Sequence, residues 1–348
     1  MTTFDTILQD HQERYPLMQP QDYAKLAFQS EFGPEHLVKA EDSQPFFRLM
    51  EEWNAVKSDA LLPWEPIGNG LCRFHLSAQN CSPAAAALLA ALFAHTAQKH
   101  SGTSAGLDTR LNAVRALHIS DMDSWLDRYA AQGCPPVHHS AEFRQAYQPH
   151  YRVIKQTYAD YFPALLEIQK LVDLGQPAIV AVDGRCGSGK TTFARLVQCF
   201  FPCNVFHMDD FYLPLPRRAK NWEATPCGNM DLDRFLREVL LPARNGNPVS
   251  YRAFSCQRKE YLPPENISFQ PLTLVEGSYA LHPSLSPQYD LRIFLTCSKE
   301  AQSRRLQARE GAYFTHFQQR WIPLEEAYFK QFHIRSHAST LLDTTDFE

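Results

Sequence analysis

The chain lacks a hydrophobic run long enough to cross a bilayer. Its longest, Ala84 to Ala94, falls far short of the roughly 20 apolar residues a membrane helix needs. That run follows Ser82-Pro83, a capping residue and a first-turn proline, which together predict a buried helix. Met1 to Asp10 has neither the basic start nor the apolar centre of a secretory signal. An excess of positive charge is missing too: 34 Lys and Arg against 38 Asp and Glu leave a net charge of −4. This removes the electrostatic case for a nucleic acid or an acidic membrane as partner. The nine cysteines are odd in number and scattered, with no Cys-x-x-Cys pair, so neither a disulfide framework nor a zinc site is predicted. These absences together predict a cytoplasmic protein with reduced thiols. Internal repeats and low-complexity tracts are also lacking. Nine of the 14 histidines fall in residues 1–150, yet none has the two-histidine helical spacing with a glutamate that marks a metalloprotease.

With 348 residues, 44% of them apolar, the chain has enough material for two domains, each with its own core. Residues 1–140 read as a mostly helical accessory domain. Asp22 to Phe32, Ser43 to Val56, Pro83 to His100 and Leu107 to Leu117 carry apolar residues at helical spacing, and a strand or loop, Gly70 to Leu76, interrupts them. Trp64 to Gly70 reads as a tight turn. Gly133-Cys134-Pro135-Pro136 is a break, and residues 141–172 are predicted as one or two linking helices interrupted at Pro149 and Pro163. Residues 173–348 form the second domain. There, strands at Ala178 to Val182, Asn204 to Met208, Leu272 to Val275 and Leu291 to Thr296 alternate with helices at Thr191 to Phe200, Leu232 to Leu240 and Lys299 to Arg309. Such alternation predicts an α/β fold with a parallel sheet covered on both faces, whose ligands bind at the carboxyl ends of the strands.

One such strand end carries Gly184-Arg185-Cys186-Gly187-Ser188-Gly189-Lys190-Thr191-Thr192, which fits Gly-x-x-x-x-Gly-Lys-Thr. Loop amides and the positive end of the following helix converge there on an anion, so the segment predicts a phosphate loop for ATP or GTP. No Asn-Lys-x-Asp guanine-reading segment is present. Lys190 is expected on the outer phosphates, and the Thr191 hydroxyl on Mg²⁺. Asp209 and Asp210 follow the second strand, and Glu276 follows the third. Transfer of a phosphoryl group to a hydroxyl needs a proton acceptor and a Mg²⁺-side carboxylate. Asp209 is the expected base and Glu276 the metal-side acid. Asp210 either orients metal-bound water or caps the next turn.

The set Gly184 to Thr192, Asp209-x-Phe211-Tyr212, Val275-Glu276-Gly277 and an arginine-bearing helix after the last strand resembles the uridine kinase, phosphoribulokinase and bacterial pantothenate kinase family of P-loop kinases. The resemblance covers about residues 175 to 335. It implies that Asp209 is the general base, that Glu276 lies at the metal, and that a lid helix brings arginines over the phosphates. Here these are Arg305 and Arg309, four apart and therefore on one helix face. On the acceptor side the resemblance implicates Tyr212, Asp231, Tyr251 and Arg258, with Asp231 alternatively a helix cap. Arg252, Ala253 and Cys256 depart from the uridine kinase pattern. Cys256 in particular replaces a base-contacting histidine, which argues against pyrimidine recognition. Arg217, Arg218 and Arg252 would suit an anionic acceptor or simply a solvated surface. The expected activity is thus transfer from ATP, with Mg²⁺, to a hydroxyl of a small metabolite. The competing reading is a nucleotide-dependent switch whose first domain docks a partner or a second copy of the chain.

Overall fold

Helical spacing of apolar residues, with a short strand cluster set among them, governs the first part of the chain. The computed structural model describes residues 3–34, 45–57, 59 and 62–347, and these fall into two units, Met1–Phe162 and Pro163–Phe347. In the first unit lie α1 (Phe4–Arg14), α2 (Pro20–Phe32), α3 (Pro45–Ala55), α4 (Pro83–Lys99), α5 (Ser104–Arg115), α6 (Met122–Ala131) and α7 (Ala141–Tyr147). Ser43, expected to open the third helix, lies outside the described residues. Ser82 caps α4 by accepting from the Ala85 amide, with Pro83 in the first turn, as its sequence predicts.

Where a single strand or loop is expected there are three strands. β1 (Trp64–Gly68), β2 (Leu71–His75) and β3 (Tyr151–Lys155) form an antiparallel sheet in that order. Gly68, Asn69 and Gly70 all take positive φ, which turns β1 tightly into β2. One sheet face contributes Ile67, Leu71 and Val153 to a core shared with Leu8, Leu26 and Leu111 of the helices. The segment read as linking helices therefore contains a strand. Its last helix, α8 (Gln156–Asp173), continues through Pro163 instead of stopping there.

In the second unit the sheet is fully parallel, in the order β12 (Thr340–Asp343), β11 (Leu291–Thr296), β4 (Ala178–Gly184), β10 (Leu272–Glu276), β5 (Cys203–His207). Every residue of β4 and β10 is buried, as central strands covered on both faces should be. Within this unit the first strand, β4, is the central one; the chain then goes to the β5 edge, returns to β10 beside β4, and crosses to β11 and β12 on the other side. That reversal opens a crevice at its carboxyl end. This is the topology of a P-loop fold, with α9 (Lys190–Phe200) following the phosphate loop. α10 (Leu232–Phe235), a π turn over Leu236–Leu240 and α11 (Leu241–Arg244) together form one covering helix. It packs Phe235 and Leu240 against Phe206, Phe211 and Val275. Two small hairpins follow, β6 (Val249–Tyr251) with β9 (Glu265–Ile267) and β7 (Phe254–Ser255) with β8 (Glu260–Tyr261). α12 (Lys299–Glu310), the short α13 (Phe314–His316), a π turn, α14 (Ile322–Gln331) and α15 (Ile334–His337) lead back to β12. Among the described residues no helix is long and apolar enough to cross a membrane.

Candidate active site

Gly184 ends β4 at φ 140°, and a Cβ built there would stand 1.9 Å from the Leu295 carbonyl oxygen, so only glycine lets the loop leave the sheet on this path. Gly189, at φ 92°, precedes the first turn of α9. Behind the loop, Thr344 donates its hydroxyl to the Ser188 carbonyl at 3.0 Å, and Gln302 donates to the Cys186 carbonyl at 2.9 Å. Lys190 Nζ donates to the carbonyls of Gly184 and Arg185, at 2.7 and 3.1 Å. A carboxylate, Glu325 of α14, accepts the Cys186 amide at 2.9 Å, so one of the loop's anion-seeking donors is taken by an acidic side chain. Cys186, Gly187, Gly189, Lys190, Thr191 and Thr192 line a cavity of about 760 Å³, within the size range of small-molecule sites. Gly184, Arg185 and Ser188 build the loop without lining it. The Arg185 guanidinium turns to Glu326, Thr296 and the Cys297 carbonyl.

Two strand ends bring carboxylates to the same cavity. Asp209 follows β5 in a 3₁₀ turn and accepts the Tyr212 hydroxyl at 3.0 Å. Its carboxylate is open to the cavity but crowded by protein, and the lost solvation lifts its carboxyl above the ordinary range. The charges of Glu276 and Glu325 push the same way, while Tyr212 and Lys190 oppose. Glu276 ends β10, buried, and accepts the Thr191 hydroxyl at 3.1 Å. Burial alone would raise its carboxyl, but the hydrogen bond from His207 and the charge of Lys190 outweigh it and hold the group below the ordinary value. His207 is level with Glu276 in the parallel register and pairs with it at 2.7 Å through Nδ1, which raises the imidazole. The Thr191 hydroxyl and the Glu276 carboxylate are hard oxygen donors, the kind Mg²⁺ takes. Among the described residues no group of three or more His, Cys, Asp or Glu is placed to hold a metal. A cation here would therefore complete its shell with ligand oxygens and water.

Several expected residues are placed elsewhere. Asp210 does not line the cavity; its carboxylate accepts the Tyr251 hydroxyl at 3.0 Å, tying the turn to β6. Tyr251 itself stacks on Phe211 at 5.2 Å between ring centroids. Asp231 is buried, caps α10 through the Arg234 amide and pairs with Arg217 and Arg234, so the helix-cap reading holds. Arg258 is outside the lining, and Arg252 donates to the carbonyls of Tyr261 and Leu262. Arg305 and Arg309 separate despite their spacing. Arg305 donates to the Thr344 hydroxyl at 3.1 Å and the Phe347 carbonyl at 2.8 Å, clamping the end of the sheet, whereas Arg309 lines the cavity.

No family model matches the chain. Solved structures that are similar to it cover about half of its length. A possible uridine kinase from Bacillus stearothermophilus is 16% identical, with 51% of this chain and 100% of that chain covered and a TM-score of 0.39. A candidate fructose transport system kinase from Silicibacter sp. TM1040 is 22% identical, with 51% and 97% covered and a TM-score of 0.38. The YGR205w protein is 15% identical, with 53% and 94% covered and a TM-score of 0.36.

The structure adds residues that motif reading missed. Trp222, Phe317, Arg320 and Trp321 form one wall of the cavity, with Trp222 and Trp321 centroids 6.3 Å apart and the Arg320 guanidinium 5.6 Å from the Trp222 ring. Of the residues expected on the acceptor side, Arg218 stacks over Trp222 at 4.5 Å, and with Tyr212, Cys256 and Lys259 it lines the side of the cavity near Asp209. Aromatic residues clustered beside arginines at Trp222 and Trp321 were the sequence signal available; their meeting across about 100 positions was not.

Proposed function

We propose that the chain is a P-loop kinase that transfers the γ-phosphoryl group of ATP to a hydroxyl of a small metabolite. The observation that carries this reading is the opening of Asp209, Lys190, Thr191 and Glu276 onto one cavity. A nucleotide-binding switch needs the last three; it has no use for a carboxylate aimed into the same space where an acceptor hydroxyl would lie. Asp209 takes the proton of the acceptor hydroxyl as that oxygen attacks the γ-phosphorus, and the bond from phosphorus to the bridging oxygen of ADP breaks. Lys190 and Arg309 face the charge that develops on the phosphoryl oxygens. Thr191 and Glu276 would hold Mg²⁺, which when bound neutralises phosphate charge. The aromatic wall of Trp222 and Trp321 suits a flat base. The edge formed by Arg218 and Lys259 favours an acceptor that carries negative charge beside its hydroxyl.

The test is Mg²⁺-dependent ADP formation across nucleosides, sugar phosphates and hydroxy acids, with Asp209→Asn alongside. Acceptor-stimulated turnover in the parent chain that the variant lacks is the expected result. Nucleotide binding with no stimulation by any acceptor would favour the switch.

A further inference from the structure

A second cavity, of about 520 Å³, lies wholly within the first unit and has no part in phosphoryl transfer. Its floor is the same sheet face that elsewhere buries Ile67, Leu71 and Val153. At this end the inward positions hold Glu65, Arg73, His75 and Tyr151. Glu65 stands opposite Arg73 across β1 and β2, and His75 opposite Tyr151 across β2 and β3. Glu65 and Arg73 are each 1% exposed. A buried ion pair in such a position contributes little that apolar side chains of the same size would not, so the fold alone gives no reason for it.

The hydrogen bonds show what the site lacks. Glu65 already accepts from Arg14 at 2.9 Å and Tyr15 at 2.8 Å on one oxygen, and from Arg73 at 3.4 Å on the other. Asp59, the other lining carboxylate, is filled by the Ser77 hydroxyl and the Gln79 amide. Arg73 is further fixed by two hydrogen bonds to Gln29, at 3.0 and 2.9 Å. The donors are less committed. Arg14 uses one amino group and is 32% exposed. His75 comes no nearer to Glu65 than 3.8 Å, beyond hydrogen-bond length. Both lining carboxylates are occupied while Arg14 and His75 have donors left over, so a ligand that uses these donors must bring acceptors of its own. Tyr15 and Tyr147, with centroids 5.0 Å apart, and Tyr151 supply an aromatic wall beside them.

We propose that this cavity binds a small organic anion, its carboxylate or phosphate received by Arg14 and His75 and its body lying against the tyrosines. The inference is independent of the kinase reading. Calorimetric titration of the full chain with phenyl phosphate, 4-hydroxyphenylacetate and neutral benzyl alcohol tests it. Arg14→Ala and His75→Ala each weaken binding of an oxyanion probe by about tenfold or more. Lys190→Met, which disables the phosphate loop, leaves this binding unchanged, and benzyl alcohol binds far more weakly than either anion. The two anions separate phosphate from carboxylate preference. Absence of binding by both anions up to about 10 mM overturns the proposal. So does binding that survives both cavity substitutions, disappears with Lys190→Met, or is matched by benzyl alcohol. If Arg14→Ala and His75→Ala do not fold, the parent chain crystallised with phenyl phosphate decides, since density for the probe anywhere but this cavity is equally fatal.

Discussion

Replacing Asp209 by asparagine changes one charge and almost nothing else. The amide oxygen can still accept the Tyr212 hydroxyl, which the carboxylate holds at 3.0 Å, and the side-chain volume is preserved. What disappears is the ability to take a proton. A positioned general base contributes about 10²- to 10⁴-fold to rate, equivalent to about 3 to 5 kcal/mol of barrier, and kcat is expected to fall by that factor. Stability should move the other way. Asp209 has a raised carboxyl, so in the folded chain its charge is a burden that is absent at low pH and sets in as pH rises through the folded value. Removing the charge lifts that burden at neutral pH, and the Tm of Asp209→Asn should not fall below that of the parent. The assays are coupled ADP release at saturating acceptor, nucleotide titration by fluorescence and a thermal melt. Nucleotide affinity that drops in step with kcat would make Asp209 a ligand of the nucleotide–metal complex and sink its assignment as base.

The two lid arginines should part company. Arg305→Ala loses its bonds to Thr344 and Phe347 and destabilises by about 2 kcal/mol in urea unfolding, while Arg309→Ala keeps its Tm and loses about 10²-fold in kcat. The reverse pattern would restore Arg305 to the phosphates. Gly184→Ala puts a methyl carbon on the Leu295 carbonyl and should leave little folded protein, as read by circular dichroism and gel filtration. The His207–Glu276 pair has a definite pH window. The raised histidine contributes stability below its unfolded pKa that is lost as pH rises through its folded value; the lowered glutamate contributes above its unfolded pKa and loses it as pH falls through its folded value. In a pH series of melts, His207→Asn should therefore lose stability between those limits. It should also flatten the acidic limb of kcat, because a protonated His207 draws Glu276 away from the metal side. An unchanged acidic limb would assign that limb to another group.

The phosphate loop and the strands that feed it were legible because each is a local pattern: a glycine spacing or a short β-branched run between helical segments. The three-stranded sheet of the first unit was not. Glu65, Arg73, Arg152 and Lys155 break the apolar alternation by which strands are read, and the reason for the first two is a cavity rather than a core. β12 was missed because it is four residues long and buries only Leu342, on a sheet edge. Helical spacing put Arg305 and Arg309 on one face, but it could not say that residues 344–347 would claim the first of them. His207 needed the parallel register of β5 against β10 before its pairing with Glu276 could be seen. Asp210 and Asp231 were placed near the chemistry by position along the chain, whereas their partners, Tyr251, Arg217 and Arg234, were set by packing of the following segments.

The hydroxyl of Thr344 backs a loop that lies 156 positions earlier in the chain. A motif that looks self-contained in the sequence is thus finished by one of the longest-range contacts in its unit. Contacts of such separation must overcome loop-closure entropy before they are rewarded, so they are expected to form after local ones. On a ribosome, the nucleotide pocket would stay unshaped until the last strand emerged and docked. Nucleotide affinity, followed during refolding, should accordingly lag behind the recovery of secondary structure and rise only when the outer edge of the sheet closes.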